Sequence, residues 1–271
     1  MSQVKQVIGV IGAGSMGQAL IAGWVAQDSP DREILALVRD LPKYQFLSEK
    51  FGPSVRVTDD RSELLQCTTI VIAIKPQIIR ELLHEFTPFI APDCLLISVA
   101  AGITCGFIEN CFPQTQQVIR AMPNTPSIIG RGVTGVSAGA GCSRASVDRA
   151  VQLMSAVGTV VELPESQQND LAAVSGSGPA YLFYLAENLI RGAQELGLDS
   201  ELAQSLVRET LVGAAELLAG SPASPEQLRQ QVTSPGGMTA AAMEVLDVRE
   251  VGPAVIDALA RGTERARELG G

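Results

Sequence analysis

The chain has 271 residues, 46% hydrophobic and 18% charged, an ordinary balance for a folded protein and long enough for two domains with cores of their own. Its formal net charge of -9 argues against nucleic acid and against an anionic membrane surface as partners, because either needs a basic face; small metabolites fit better. The five cysteines (Cys67, Cys94, Cys105, Cys111, Cys142) are odd in number and contain no CxxC pair, so neither a disulfide framework nor a metal site is expected. With no leader-like N-terminal pattern and no apolar run of membrane-spanning length, the expected location is the cytoplasm.

Short apolar, β-branched runs at residues 7–11, 34–38, 70–74, 94–99 and 118–121, with a further candidate at 159–161, alternate with amphipathic segments of helix length. Runs that are apolar throughout, instead of at every second residue, indicate strands buried on both faces. The predicted fold class is therefore α/β: a doubly wound, Rossmann-type, mostly parallel sheet over residues 1–162. From about Pro164 the β-branched runs give way to Ala/Leu-rich segments at 180–196, 201–219, 239–246 and 253–269. Breaks are expected at Gly197, at Gly220-Ser221-Pro222 and at Val251-Gly252-Pro253. Residues 163–271 are predicted to form an all-helical domain. Some of its helices, such as the one carrying residues 182–190, are apolar round most of their circumference, and a unit this small cannot bury them alone, so homo-oligomerisation through it is expected.

Gly12-Ala13-Gly14-Ser15-Met16-Gly17 follows the first strand and opens a helix near Ser15, the context that gives GxGxxG its meaning as a dinucleotide site. Gly12 is expected to make the tight turn, Gly14 to admit the pyrophosphate and Gly17 to let helix and strand pack. At the end of the second strand, Arg39 argues for a 2'-phosphate and hence NADPH, while the adjacent Asp40 leaves NADH open. Asp60, after the third strand, is a second candidate for the ribose. Ala73, Ile74, Lys75 and Pro76 end the fourth strand, where a lysine faces the ligand crevice. Ala101 belongs to a run of small residues after the fifth strand that suits a nicotinamide ring, and Asn124 sits in a stiff two-proline loop after the sixth.

The remaining candidate stretch is VTSPGGMT at 232–239. Two glycines let backbone approach a ligand closely, and amides at the start of the next helix favour an anion, so Ser234, Gly236, Gly237 and Met238 read as a carboxylate cradle beside the hydroxyl of Thr239, with Gln231 leading into it. Alcohol oxidation needs a base such as lysine or histidine. The only histidine, His84, is expected in a helix of the first domain, and the lysines (5, 43, 50 and 75) all lie outside the helical domain. That inventory suits reduction of a protonated imine, which asks mainly for positioning.

Three blocks, Arg120 to Pro126, Ser175 to Tyr181 and Val232 to Thr239, together with the glycine motif and Ala73-Ile74-Lys75-Pro76-Gln77, resemble those of the pyrroline-5-carboxylate reductase family in order and spacing. The resemblance implies NADPH- or NADH-dependent hydride transfer to C5 of 1-pyrroline-5-carboxylate, giving L-proline. It implies that Thr239 hydrogen-bonds the imine nitrogen, that Gly236, Gly237 and the Met238 amide hold the carboxylate, and that Glu165 lines the substrate site. By its own sequence context Glu165 reads as a solvated loop acid. Dimers formed through the helical domain, in many members assembled into decamers, are also implied. Another cyclic imine as substrate and a non-catalytic nucleotide-binding role are the alternatives.

Overall fold

The computed structural model describes residues 6–112 and 116–270. They form two compact units, one taking the chain through Ser177 and again from Gly262, the other comprising Gly178–Arg261.

In the first unit the strands and helices run, in chain order, β1 (Gln6–Ile11), α1 (Ser15–Ala26), β2 (Arg32–Leu37), α2 (Leu41–Phe51), β3 (Arg56–Thr58), β4 (Thr69–Ile72), α3 (Pro76–Phe86), β5 (Leu95–Ser98), α4 (Cys105–Glu109) and β6 (Val118–Met122). They continue with β7 (Gly132–Ala138), α5 (Arg144–Met154), β8 (Gly158–Glu162) and α6 (Gln168–Leu171). The eight strands lie in the order β3-β2-β1-β4-β5-β6-β7-β8, and all neighbours are parallel except β6 and β7. Between β1 and β4 the winding changes direction, and the carboxyl ends of the strands there open a crevice where ligands bind in such sheets.

Continuous apolar strands follow from burial on both faces. Ile8 and Val10 join α1 and α5 in one core, around Leu20, Trp24, Leu153 and Met154, while Val7 and Ile11 point the other way into a second core with Ile79, Leu83 and Phe86 of α3 and Ile108 of α4. Trp24 Nε1 donates to the Leu153 carbonyl at 2.8 Å, so the largest side chain of the first core is satisfied as well as buried.

Two expectations are corrected. Strand β4 ends at Ile72, so Ala73 and Ile74 form the crossing to α3 and are not the strand's last residues. Strand β7 was not expected, because its sequence GVTGVSA lacks an apolar run; the sheet's direction reverses at it, and β8 runs parallel to it.

The second unit holds α7 (Gly178–Glu195), α8 (Ser200–Gly220), α9 (Pro225–Gln231) and α10 (Met238–Val248), with α11 (Val251–Gly270) continuing into the first. Helix α9 was not expected; Ser224 and Gln227 close a capping box over its first turn. Between α10 and α11 the break falls at Arg249-Glu250, where Glu250 has φ +54°, and not at Gly252-Pro253. Those two lie in the first turn of α11, where a proline's missing N–H is no loss. No helix among the described residues is long and apolar enough to cross a membrane.

Candidate active site

The glycine turn between β1 and α1 is built by close packing. Gly12 has φ +94°, and a Cβ there would stand 2.7 Å from the Ala73 carbonyl oxygen. A Cβ on Gly17 would lie 2.5 Å from the Gly12 carbonyl oxygen, so helix and strand touch backbone to backbone. Gly14, by contrast, has open space on its Cβ side and caps α1 with no side chain bonded to the first-turn amides. Open space over unpartnered amides fits a pyrophosphate.

Beside the turn is a cavity of about 150 Å³ lined by Gly12, Ala13, Leu37, Val38, Arg39, Asp40, Lys43 and Ile74, and by Ile78, Leu82 and Phe86 of α3. Its apolar wall and basic rim match an adenosine with a phosphate. The α3 residues were not singled out from the sequence, although their spacing puts them on one helix face. Arg39 pairs with Glu85 at 3.3 Å, while Asp40 caps α2 by accepting the Lys43 amide at 2.9 Å. Asp60 is a cap too: its carboxylate accepts the amide and the hydroxyl of Ser62 at 2.8 and 2.7 Å, and these bonds hold its pKa below the ordinary carboxylate value. Lys75 is exposed at the N-cap position of α3.

A larger cavity, about 680 Å³, opens beyond β4, β5 and β6. Pro76, Gln77, Ala101, Gly102 and Ile103 form one wall; Met122, Asn169, Ala172, Ala173, Gly176 and Ser177 form another; Gly262, Arg265 and Ala266 of α11 close it. Of the expected cofactor residues only Pro76 and Ala101 line it. The α11 residues carry no local sequence signal for such a role.

The buried Arg120 on β6 ties these walls together. Its Nη2 donates to Asn169 Oδ1 at 3.0 Å, and its Nη1 lies 3.7 Å from Glu165 Oε1, the oxygen that also accepts the Cys105 amide at 2.7 Å. Burial lowers the Arg120 pKa, and the Glu165 carboxylate opposes that shift. Glu165 is thus half-buried, with one carboxylate oxygen held by partners within the first unit, unlike a solvated loop acid. Asn124 spans the same region: it donates to the Ser175 carbonyl at 2.9 Å and accepts the Val133 amide at 2.8 Å, fixing the loop after β6 against the π-helical turn Ala172–Gly176.

The other substrate candidates lie in the second unit, in the turn from α9 to α10. The Gly237 amide donates to the Ser234 carbonyl at 3.0 Å, and Gly236 has φ +71°, a conformation open to glycine at little cost. Gly237 caps α10 without any side-chain bond, which leaves the amides of Met238 and Thr239 pointing outward from the helix start. Gln231 is the last residue of α9, and Gln231, Met238 and Thr239 are exposed. The unit contains neither lysine nor histidine.

Burial works against thiolate formation at the cysteines. Burial pushes Cys67 up to about 12 and raises Cys94, Cys105, Cys111 and Cys142 as well. Among the described residues no group of three or more His, Cys, Asp or Glu side chains is arranged to hold a metal ion.

Residues 165–269 match the pyrroline-5-carboxylate reductase dimerisation family, and residues 7–102 match the family described as NADP oxidoreductase, coenzyme F420-dependent. The chain is similar to the pyrroline-5-carboxylate reductase of Pseudomonas aeruginosa, at 36% identity over 97% of this chain and 96% of that one. It is similar to the Synechocystis enzyme of the same name at 35% identity, over 97% and 98% of the two chains. Among solved structures, a pyrroline-5-carboxylate reductase from Coxiella burnetii superposes with a TM-score of 0.91 at 35% identity, covering 99% of this chain and all (100%) of that one. The Plasmodium falciparum pyrroline carboxylate reductase, solved with NADP bound, gives 0.85 at 26% identity, with 100% of each chain covered.

Proposed function

This chain belongs to the pyrroline-5-carboxylate reductase family, and from that premise we propose that it reduces the cyclic imine 1-pyrroline-5-carboxylate to L-proline, the last step of proline biosynthesis, with NADPH as cofactor and NADH as a substitute. The observation that carries the reading is the turn from Ser234 to Thr239: an anion cradle at a helix N-terminus, with a hydroxyl beside it, in a unit that has neither lysine nor histidine.

The bound dinucleotide supplies a hydride from C4 of its nicotinamide to C5 of the imine. Everything else falls to the chain. Gly12 to Gly17 hold the pyrophosphate, with Ala13, Ser15 and Met16 supplying backbone around it; Arg39 takes the 2'-phosphate; Asp60, Ala73, Ile74, Lys75, Pro76, Ala101 and Asn124 complete the cofactor site. Gly236, Gly237 and the Met238 amide take the substrate carboxylate, supported by Gln231 and Ser234, and Glu165 lines the substrate site as the family resemblance implies. Thr239 hydrogen-bonds the imine nitrogen. A protonated imine is already electrophilic, so fixing it against the hydride donor is the main requirement, worth roughly 7–11 kcal/mol in favourable cases.

Residues 1–162 serve as the dinucleotide-binding domain and 163–271 as the substrate and dimerisation domain. The protein oligomerises, and we take the unit to be a homodimer formed through the helices: within Gly178–Arg261, Ala203 is the single buried residue among those described, while Leu182, Phe183, Tyr184 and Leu189 are exposed. A decamer built from such dimers is the larger assembly the family resemblance implies, and sedimentation velocity distinguishes the two. Five free cysteines suit the reducing cytoplasm.

The deciding experiment follows NADPH and NADH absorbance on addition of 1-pyrroline-5-carboxylate, with proline quantified. One proline per cofactor oxidised is the expected result. Oxidation with only a larger cyclic imine, or cofactor binding without oxidation, would overturn the reading.

A further inference from the structure

The C-terminal end of α3 brings two guanidinium groups onto one carboxylate oxygen. Glu85 Oε2 meets Arg61 Nη2 at 2.9 Å and Arg39 Nη2 at 3.3 Å. Arg39 follows β2 and lines the smaller cavity. Arg61 comes from a different element, the 3-10 turn Arg61–Gln66, which Asp60 caps, and its guanidinium sits over the Phe86 ring at 5.3 Å; Phe86 lines the same cavity. Two cations from separate loops thus converge at the rim of one pocket, braced on one helix.

Their present partner is a weak one. The three side chains are 54%, 39% and 38% exposed for Arg39, Arg61 and Glu85, and ion pairs that open to water contribute little. A phosphate monoester carries a charge of about -1.5 to -2 and three acceptor oxygens, which suits two guanidinium forks far better than a single shared carboxylate oxygen. Lys43, on the same rim, adds a third positive charge.

Resting on the reading that this cavity takes the adenosine end of a dinucleotide, we propose that Arg61 joins Arg39 as a two-armed receptor for the 2'-phosphate of NADP(H), and that Glu85 is the competing anion that tempers the preference over NAD(H). Arg61 then determines cofactor specificity although it is remote from the glycine turn in sequence. Asp60 acts through it, by fixing the turn that presents Arg61. Glu85 opposes the incoming phosphate directly and sets how strongly the two arms discriminate.

The test is calorimetric titration of the full-length protein, wild type, Arg61→Gln and Glu85→Gln, with NADP+, NAD+, 2',5'-ADP and 5'-AMP. Arg61→Gln is expected to raise Kd for NADP+ and 2',5'-ADP roughly tenfold and to leave NAD+ and 5'-AMP unchanged. Glu85→Gln is expected to lower Kd for the two 2'-phosphorylated ligands only. Opposite directions from neighbouring substitutions cannot arise from misfolding. Equal effects on phosphorylated and unphosphorylated ligands, no effect from Arg61→Gln, or weaker NADP+ binding by Glu85→Gln would each overturn the proposal. Because binding is the readout, absence of imine turnover would remove the reductase reading and leave this inference standing, whereas a wild type that binds neither dinucleotide would remove both.

Discussion

At Gly12 and Gly14, two positions apart in one turn, the same added methyl has separate consequences. Gly12→Ala forces a side chain into a left-handed conformation and onto the Ala73 carbonyl, and should lower folding stability by at least about 1–3 kcal/mol. Gly14→Ala meets only open space, so the fold should lose no more than about 1 kcal/mol, the difference between glycine and alanine at an N-cap. Its methyl nevertheless stands where the pyrophosphate must lie, and NADP+ affinity should fall at least about tenfold. Urea unfolding and calorimetric titration of both variants check the pair. Thr239→Ala should leave stability alone and reduce kcat/KM for the imine by roughly 10- to 150-fold, the equivalent of about 1.5–3 kcal/mol for one charge-assisted hydrogen bond. An unchanged kcat/KM would remove the hydroxyl from the mechanism. The glycine motif is legible in the sequence because its logic is local, strand then turn then helix. The link from Arg120 through Glu165 to the Cys105 amide is not, since its members come from three elements and only the folded sheet brings them together.

Helix α9 illustrates how a short element escapes notice: seven residues carry too little periodicity to read, yet Ser224 and Gln227 mark its start by bonding reciprocally, at 3.2 and 2.9 Å. Replacing Ser224 with alanine should cost about 1 kcal/mol, measured as a lower urea midpoint with an unchanged slope. Because α9 leads into the cradle, KM for the imine is expected to rise with it. Strand β7 escaped for another reason. It pairs in parallel with β8 but antiparallel with β6, and two glycines dilute its β-branched residues, so nothing in its composition matched the buried parallel strands before it. The break before α11 was misplaced because Gly252-Pro253 looks like an ending; a proline within the first turn is instead a beginning, and the actual corner is a glutamate in a left-handed conformation.

On the scale of the whole molecule, the proposed homodimer makes stability depend on protein concentration, since among the described residues of Gly178–Arg261 only Ala203 is buried. Calorimetry at widely separated concentrations is expected to give a higher Tm for the more concentrated sample, and a constant Tm would contradict a dimeric folding unit. Alkali should also unfold the protein progressively. The buried thiols of Cys67, Cys94 and Cys105 have pKa values raised above the ordinary 9.0, so above that pH the unfolded chain releases protons that the native state keeps. The stability that these thiols contribute is therefore fully present below pH 9.0 and falls as pH rises beyond it, by up to about 1.4 kcal/mol per pH unit for each thiol. Urea midpoints at neutral pH and above pH 9.0, with Cys94→Ala as the shallower comparison, check the slope. Finally, Gly262, Arg265 and Ala266 close the larger cavity of the first unit although they follow the entire helical unit along the chain. The ribosome therefore makes the sheet early and this wall late. A nascent chain holding β1 to β8 has its strands and the smaller cavity, but the larger cavity stays open on one side until the final helix, which follows α7 to α10, has been synthesised.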